Sequence, residues 1–184
     1  MQGTNSLIVQ ALLSGQVERC HTIQNIGSYK TSEHQWGVAM ILFYLFPEHY
    51  RRLVTFALTH DIPEYWVGDI PATIKWYEQE VAKAYDNIEN AIFSHMRIIS
   101  PQVGLSEDEK VILRSCDILE LYCWCRRQEA LGNANASSFI TEIKVAVGDG
   151  SYHEAIKTFI NETDCMDFVI NKDRKIREIL DGHK

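Results

Sequence analysis

Apolar residues recur at intervals of three and four along most of the chain, the spacing of one face of an α-helix and not the alternation of a strand. Leu7, Ile8, Ala11 and Leu12 mark a first amphipathic segment over 4–14. The same period predicts helices near 31–46, 50–61, 76–99, 106–131, 136–147, 151–161 and 165–180. The punctuation agrees. Thr31 or Ser32 is placed to cap the second helix, and Pro47 to stop it. Ser106 followed three residues later by Glu109 reads as a capping box, and Gly132-Asn133 as the end of that long helix. Residues 19–30 read as an ordered loop, and 62–75 as a loop with room for one helical turn. No hairpin signal joins two alternating runs, and there is no internal repeat or low-complexity tract. The expected architecture is all-α, a single helical bundle spanning 1–184.

Composition narrows the possible partners. At 184 residues with 46% apolar side chains, the chain is long enough for one hydrophobic core. Its net charge of -7 argues against binding a nucleic-acid polymer, which requires many cations on phosphates. One nucleotide in a pocket remains compatible, because local cations and a metal suffice there. The longest apolar run, Val38 to Phe46, is far below the roughly 20 residues of a membrane span. No basic residue precedes the apolar stretch of the first helix, so it makes a poor signal peptide. Five cysteines, an odd number without a secretion signal, point to reduced thiols in a cytoplasm. Cys123-Trp124-Cys125 lacks the second pair of a zinc knuckle and reads as helix packing.

Against this helical pattern a few polar residues stand on the wrong face. His34 lies on the stripe of Val38, Ile41 and Leu45. His60-Asp61 closes the helix carrying Leu53, Val54, Phe56 and Ala57. Asp117 shares a face with Leu113, Leu121 and Trp124, where a carboxylate is costly without a partner or a metal. Taken singly, each has a bland reading: a satisfied core histidine, a chance dipeptide, an acid paired with Arg114. Taken together, two imidazoles and two carboxylates from three segments can close around one divalent cation. That mixed set suits Mn, Co, Fe or Zn better than Mg or Ca. Just beyond the paired ligands lie Glu64, Gly68-Asp69-Ile70-Pro71 and Lys75. A metal with spare carboxylates and a nearby cation is what hydrolysis of a phosphate ester needs. The bland alternatives are a helix-end cap for Glu64, a turn acid for Asp69 and a solvated Lys75.

The set His34, His60-Asp61, Asp117 resembles the H…HD…D pattern of the HD-domain phosphohydrolase superfamily. Ser32-Glu33-His34-Gln35-Trp36-Gly37-Val38-Ala39 and His60-Asp61-x-x-Glu64 with Gly68-Asp69-x-Pro71 and Lys75 resemble a small subgroup. That subgroup holds bacterial 5′-deoxynucleotidases and bacteriophage dATP triphosphohydrolases. Arg19-x-His21-Thr22 resembles the start of many phage members. The resemblance implies a helical bundle with a central metal held by His34, His60, Asp61 and Asp117. It implies Glu64 and Asp69 as catalytic acid and base in either order, or as holders of a second divalent ion in triphosphohydrolases. Arg19 and Lys75 would touch phosphate oxygens, with His21 and Thr73 also at the substrate. The implied reaction cleaves the α-phosphorus–O5′ bond of a 2′-deoxynucleotide.

One position departs from the pattern: deoxynucleotidases carry an aromatic residue where this chain has Cys20. The stacking surface must then come from elsewhere, such as His21, Trp66, Trp76 or Tyr77. With the phage-like start, Cys20 tilts the expectation toward a deoxynucleoside triphosphate, dATP above all, with Lys30, Arg51 and Arg52 available for the polyphosphate. The alternatives are a 5′-deoxynucleotidase acting on monophosphates and a nucleotide-binding module without turnover. The resemblance further implies a homo-oligomer, in a bacterial cytoplasm or in that of a host if phage-encoded.

Overall fold

The longest helix, Glu107–Ala130, runs through the centre, and the helices over 31–45, 47–59, 135–149 and 154–162 pack against it. In the computed structural model, which describes residues 2–162 and 178–181, ten helices follow one another. They are α1 (Gln2–Ser14), α2 (Thr31–Leu45), α3 (Pro47–Thr59), α4 (Glu64–Val67), α5 (Ala72–Tyr77), α6 (Gln79–Met96), α7 (Pro101–Gly104), α8 (Glu107–Ala130), α9 (Asn135–Asp149) and α10 (Glu154–Glu162). Residues 178–181 are also helical, while the rest of the helix expected over 165–180 lies outside the described residues. Among the described residues the strand content is one isolated bridge, Glu18 to Lys30, closing the loop between α1 and α2.

The core is where α2, α3 and α8 meet, with α9 and α10 covering the far side of α8. Val38 and Leu42 of α2, Leu53 and Ala57 of α3, and Cys116, Leu119 and Tyr122 of α8 are buried there. Each large aliphatic side chain so buried contributes about 1.5–3 kcal/mol. The buried face of α2 runs through Val38, Ala39 and Leu42, with His34 at its N-terminal end; of the stripe expected from sequence, Val38 is buried, Ile41 half-buried and Leu45 exposed.

Several boundaries differ from the expectation, each for a local reason. Pro47 ends α2 at Leu45 but also starts α3, because its missing N–H and fixed φ suit the first helical position. The capping box at Ser106 and Glu109 is formed in both directions. Thr31, expected as a cap, is instead the first residue of α2. Its hydroxyl turns inward to Val17 O and Glu64 Oε2. The segment 62–75 holds α4 and the start of α5, and the helix expected over 76–99 is broken at Glu78, which has φ -118° and ψ 82°. Gly68 ends α4 with φ 77°, a conformation open to glycine and costly for other residues.

Candidate metal centre and cleft

Three helices deliver the polar intrusions to one point. His34 comes from the first turn of α2, His60 caps the C-terminus of α3, Asp61 follows in the next turn, and Asp117 stands mid-way along α8. One ligand atom each from His34, His60 and Asp117 lie within 4.8 Å of one another. His34 Nε2 is 2.8 Å from Asp117 Oδ1 and 3.4 Å from Asp61 Oδ2. His60 Nε2 is 3.4 Å from Asp61 Oδ2 and 3.9 Å from Asp117 Oδ1. Both Nε2 atoms are buried and lack a properly aligned hydrogen bond. His60 donates from Nδ1 to Ala57 O at 2.9 Å, so its Nε2 carries the lone pair. Two imidazole nitrogens without hydrogen bonds, converging with carboxylate oxygens, fit a cation. The donor set of imidazole and carboxylate fits a borderline transition ion.

The electrostatics point the same way. Burial opposes ionisation of Asp117, but His34 and His60 outweigh it and hold the carboxyl well below the usual range. Burial likewise disfavours the Asp61 anion, and His60, Arg19 and His34 reverse the balance. Burial and Arg19 push the His34 imidazole down, yet Asp117 and Glu120 carry it up to about 9. The Arg114 partner considered for Asp117 is engaged elsewhere: it donates to Ser151 O at 3.0 Å and lies over the Tyr152 ring.

Beside this cluster opens a cleft of about 730 Å³, a size that suits a small ligand. Its polar lining includes Arg19, Asp61, Glu64, Asp69, Thr73, Lys75, Arg114 and Asp117. Arg19 Nη1 bridges Asp61 Oδ2 at 2.5 Å and Glu64 Oε1 at 3.0 Å, while its buried Nε has no partner. Glu64 is 3% exposed and accepts from Thr31 Oγ1 at 3.0 Å. Burial pushes its carboxyl up to about 8, with Asp61 acting in the same direction and Arg19 against. Asp69 Oδ2 accepts from the Cys20 N–H at 2.8 Å, and Cys20 has φ 51°. That left-handed backbone costs a non-glycine residue about 1–3 kcal/mol and aims its N–H at Asp69. Lys75 reaches from α5 toward Glu89 at 3.8 Å and over the Tyr85 ring.

Its apolar lining includes Trp76, Ile118, Leu121, Phe139 and Tyr152. Of the aromatic candidates, Trp76 lines the cleft. Trp66 faces a separate groove with His95, and Tyr77 is exposed and bonded to Glu142. His21 is half exposed, with Nδ1 3.9 Å from Asp69, and Thr22 lines the wall in its stead. Lys30 pairs with Glu18, Arg52 donates to Gly104 O, and Arg51 is exposed; none of the three lines the cleft. Reasoning from sequence passed over Thr31, Phe139, Tyr152 and Glu120. Glu120 follows Asp117 by three residues on α8, a spacing that places both on one face. Phe139 and Tyr152 reach the cleft only by tertiary packing, and no local spacing marks them.

The comparisons with known proteins agree with this arrangement. The family model "5′-deoxynucleotidase YfbR-like" matches residues 14–164, which holds every ligand and every cleft residue named above. A 5′-deoxynucleotidase of Pasteurella multocida is 26% identical over 140 residues, 65% of this chain and 71% of that protein. One of Vibrio vulnificus is 27% identical over 138 residues, with 64% and 71% covered. A Pyrococcus horikoshii protein of solved structure superposes with a TM-score of 0.66 at 18% identity, over 85% of this chain and 96% of its own. The HD phosphohydrolase DatZ of cyanophage S-2L, solved with dA and one catalytic Zn2+, gives 0.61 at 16% identity over 92% and 96%. The chain belongs to the YfbR-like 5′-deoxynucleotidase family and is a metal-dependent nucleotide phosphohydrolase of the HD type.

Proposed function

We propose that this chain hydrolyses 2′-deoxynucleoside 5′-monophosphates at the bond between phosphorus and O5′, releasing deoxynucleoside and phosphate. The observation that carries the reading is the distribution of cations around the cleft. Arg19 and Lys75 line it near Asp61 and Glu64, enough for one phosphate, and Arg114 is the one further lysine or arginine of its lining among the described residues. Lys30, Arg51 and Arg52, which a polyphosphate tail would call on, lie elsewhere. The family match and the bacterial relatives support the same substrate class.

His34, His60, Asp61 and Asp117 would hold a divalent transition ion, Mn, Co, Fe or Zn. The Zn2+ of the cyanophage protein makes zinc the first to test. When bound, such an ion supplies a Lewis acid and a water acidified toward neutral pH. The chain's own groups do the rest. Arg19 and Lys75, which both line the cleft, bind the phosphate oxygens and offset their charge. Glu64, whose carboxyl is raised by burial to about 8, is the group to give a proton to the leaving O5′. Asp69, fixed by the Cys20 N–H, is placed to accept one. The deoxynucleoside lies toward Trp76, Phe139 and Tyr152, which replace the aromatic residue absent at Cys20.

The reading treats 1–184 as one HD unit in a reducing cytoplasm. It extends to a homo-oligomer, for which the exposed Trp36, Phe43 and Tyr44 of α2 offer apolar surface.

A second reading, a dATP-type triphosphohydrolase, is favoured by Arg114 as a third cation on the cleft wall. Incubation of the zinc-, manganese- or cobalt-loaded protein with a panel of deoxynucleoside mono- and triphosphates separates the two. Orthophosphate from a monophosphate is the expected product. Triphosphate released from dATP, with monophosphates untouched, would replace the first reading by the second. Nucleotide binding with no hydrolysis under any metal would leave a binding module.

A further inference from the structure

His34 can serve a central cation only through Nε2, so its ring must be held one way round. Around Nδ1 the structure gathers a closed group. Glu120 Oε2 lies 2.5 Å from Nδ1, and Tyr29 Oη donates to that same oxygen while lying 3.1 Å from Nδ1. His34 and Tyr29 are 0% and 1% exposed. The phenol ring is stacked on Trp124, with centroids 4.5 Å apart and planes at 15°, so it has nowhere to swing. A carboxylate only accepts, so Nδ1 is the donor, which leaves Nε2 as the nitrogen that can turn its lone pair to a cation at the centre.

The seat of Glu120 has been made at the expense of α2. Gly37 stands in the middle of that helix, where glycine costs about 1 kcal/mol relative to alanine. A Cβ built there would lie 2.5 Å from Glu120 Cγ and 3.1 Å from its Oε1. The missing side chain at Gly37 is the space through which Glu120 reaches His34. A glycine on one helix and a carboxylate on another thus meet at a single imidazole nitrogen.

We infer that Glu120, held by Tyr29 and admitted by Gly37, is the positioning residue that fixes the tautomer and ring orientation of His34 for a divalent cation. The inference rests on the reading of His34, His60, Asp61 and Asp117 as metal ligands. Partners of this kind raise metal affinity by about 10–100-fold.

The test measures Co2+ affinity of the full chain by competition with a chromogenic chelator, beside its thermal melt and the nitrogen NMR signals of its histidine rings without metal. Glu120→Ala and Gly37→Ala should weaken Co2+ binding about 10–100-fold. Glu120→Gln keeps the length and one acceptor oxygen, so it should lose less. In the metal-free Glu120→Gln protein, read above about pH 9 where the ring is neutral, the His34 signal should move away from the Nδ1–H tautomer expected of the unmodified chain. A purely packing role for Glu120 would lower the melting temperature and leave Co2+ affinity and the tautomer unchanged. That result in Glu120→Gln and Gly37→Ala overturns the inference, and these two variants carry the test if Glu120→Ala does not fold. Failure of the unmodified chain to take up Co2+ would instead overturn the metal reading itself, and needs no variant to see.

Discussion

Replacing Glu89 with glutamine should flatten the dependence of stability on pH. Glu89, on α6, is 18% exposed and lies 3.8 Å from Lys75 Nζ. Burial raises its carboxyl from an ordinary 4.5 to about 7; Lys75 pulls it down, while Asp61 and Asp86 push it up further. The folded chain therefore binds this proton more tightly than the unfolded chain does. Stability from the protonated form is fully present below about pH 4.5 and is lost as pH rises through about 7. At 1.36 kcal/mol per pH unit, that interval corresponds to about 3 kcal/mol, an upper value because the side chain keeps some solvent. Glutamine has the same shape and no charge to lose. Urea unfolding of both proteins at pH 5 and pH 8, in the same chelator-free and metal-free buffer, measures the difference. The unmodified chain should lose up to about 3 kcal/mol more than Glu89→Gln between the two pH values. Parallel curves would refute the argument, since they would mean that Glu89 ionises alike in both states. Glu64, whose carboxyl is also raised, is common to both proteins and cancels.

Asp61→Ala should bring turnover of a deoxynucleoside monophosphate to background while the far-UV circular dichroism stays helical; a chelator should do the same to the unmodified chain, reversed by added Zn2+, Mn2+ or Co2+. Lys75→Ala removes a charge-assisted contact worth about 1.5–3 kcal/mol, so kcat/KM should fall about 10–100-fold, whereas Arg52→Ala, away from the cleft, should leave it unchanged. Equal losses in both would sink the assignment of the phosphate end. Gly104→Ala puts a Cβ 2.5 Å from Ile99 Cγ2 and 2.8 Å from Phe56 Cζ, and should destabilise the fold by about 1–3 kcal/mol in urea unfolding.

Most of the bundle was legible because its helices keep an apolar stripe and end on strong local signals. The capping box at Ser106 and the stop at Gly132 are set by residues three or four apart, and both form. Where the reading slipped, a distant partner had overruled a local preference. Thr31 has the chemistry of a cap, yet a buried acid 33 positions away takes its hydroxyl. The break at Glu78 follows no proline or glycine, and nothing in the spacing announces it. Cys20 adopts a left-handed backbone that its side chain does not favour, where it meets Asp69 across 49 residues of sequence.

The same contrast explains which parts of the site could be seen in advance. His34, fully buried, and Asp117, its side chain 41% exposed and opening on the cleft, betray themselves by standing on apolar faces, where a polar group is costly without a partner. Glu120 does not, because a glutamate near the edge of a helix face is ordinarily solvated. Its long side chain instead reaches into the interior, and its headgroup ends on an imidazole. The trace it leaves lies on another helix, as a glycine where propensity disfavours one. An unfavourable residue in a regular element is therefore a signal about its neighbour in space, and here that neighbour is the carboxylate that turns His34 toward the metal centre.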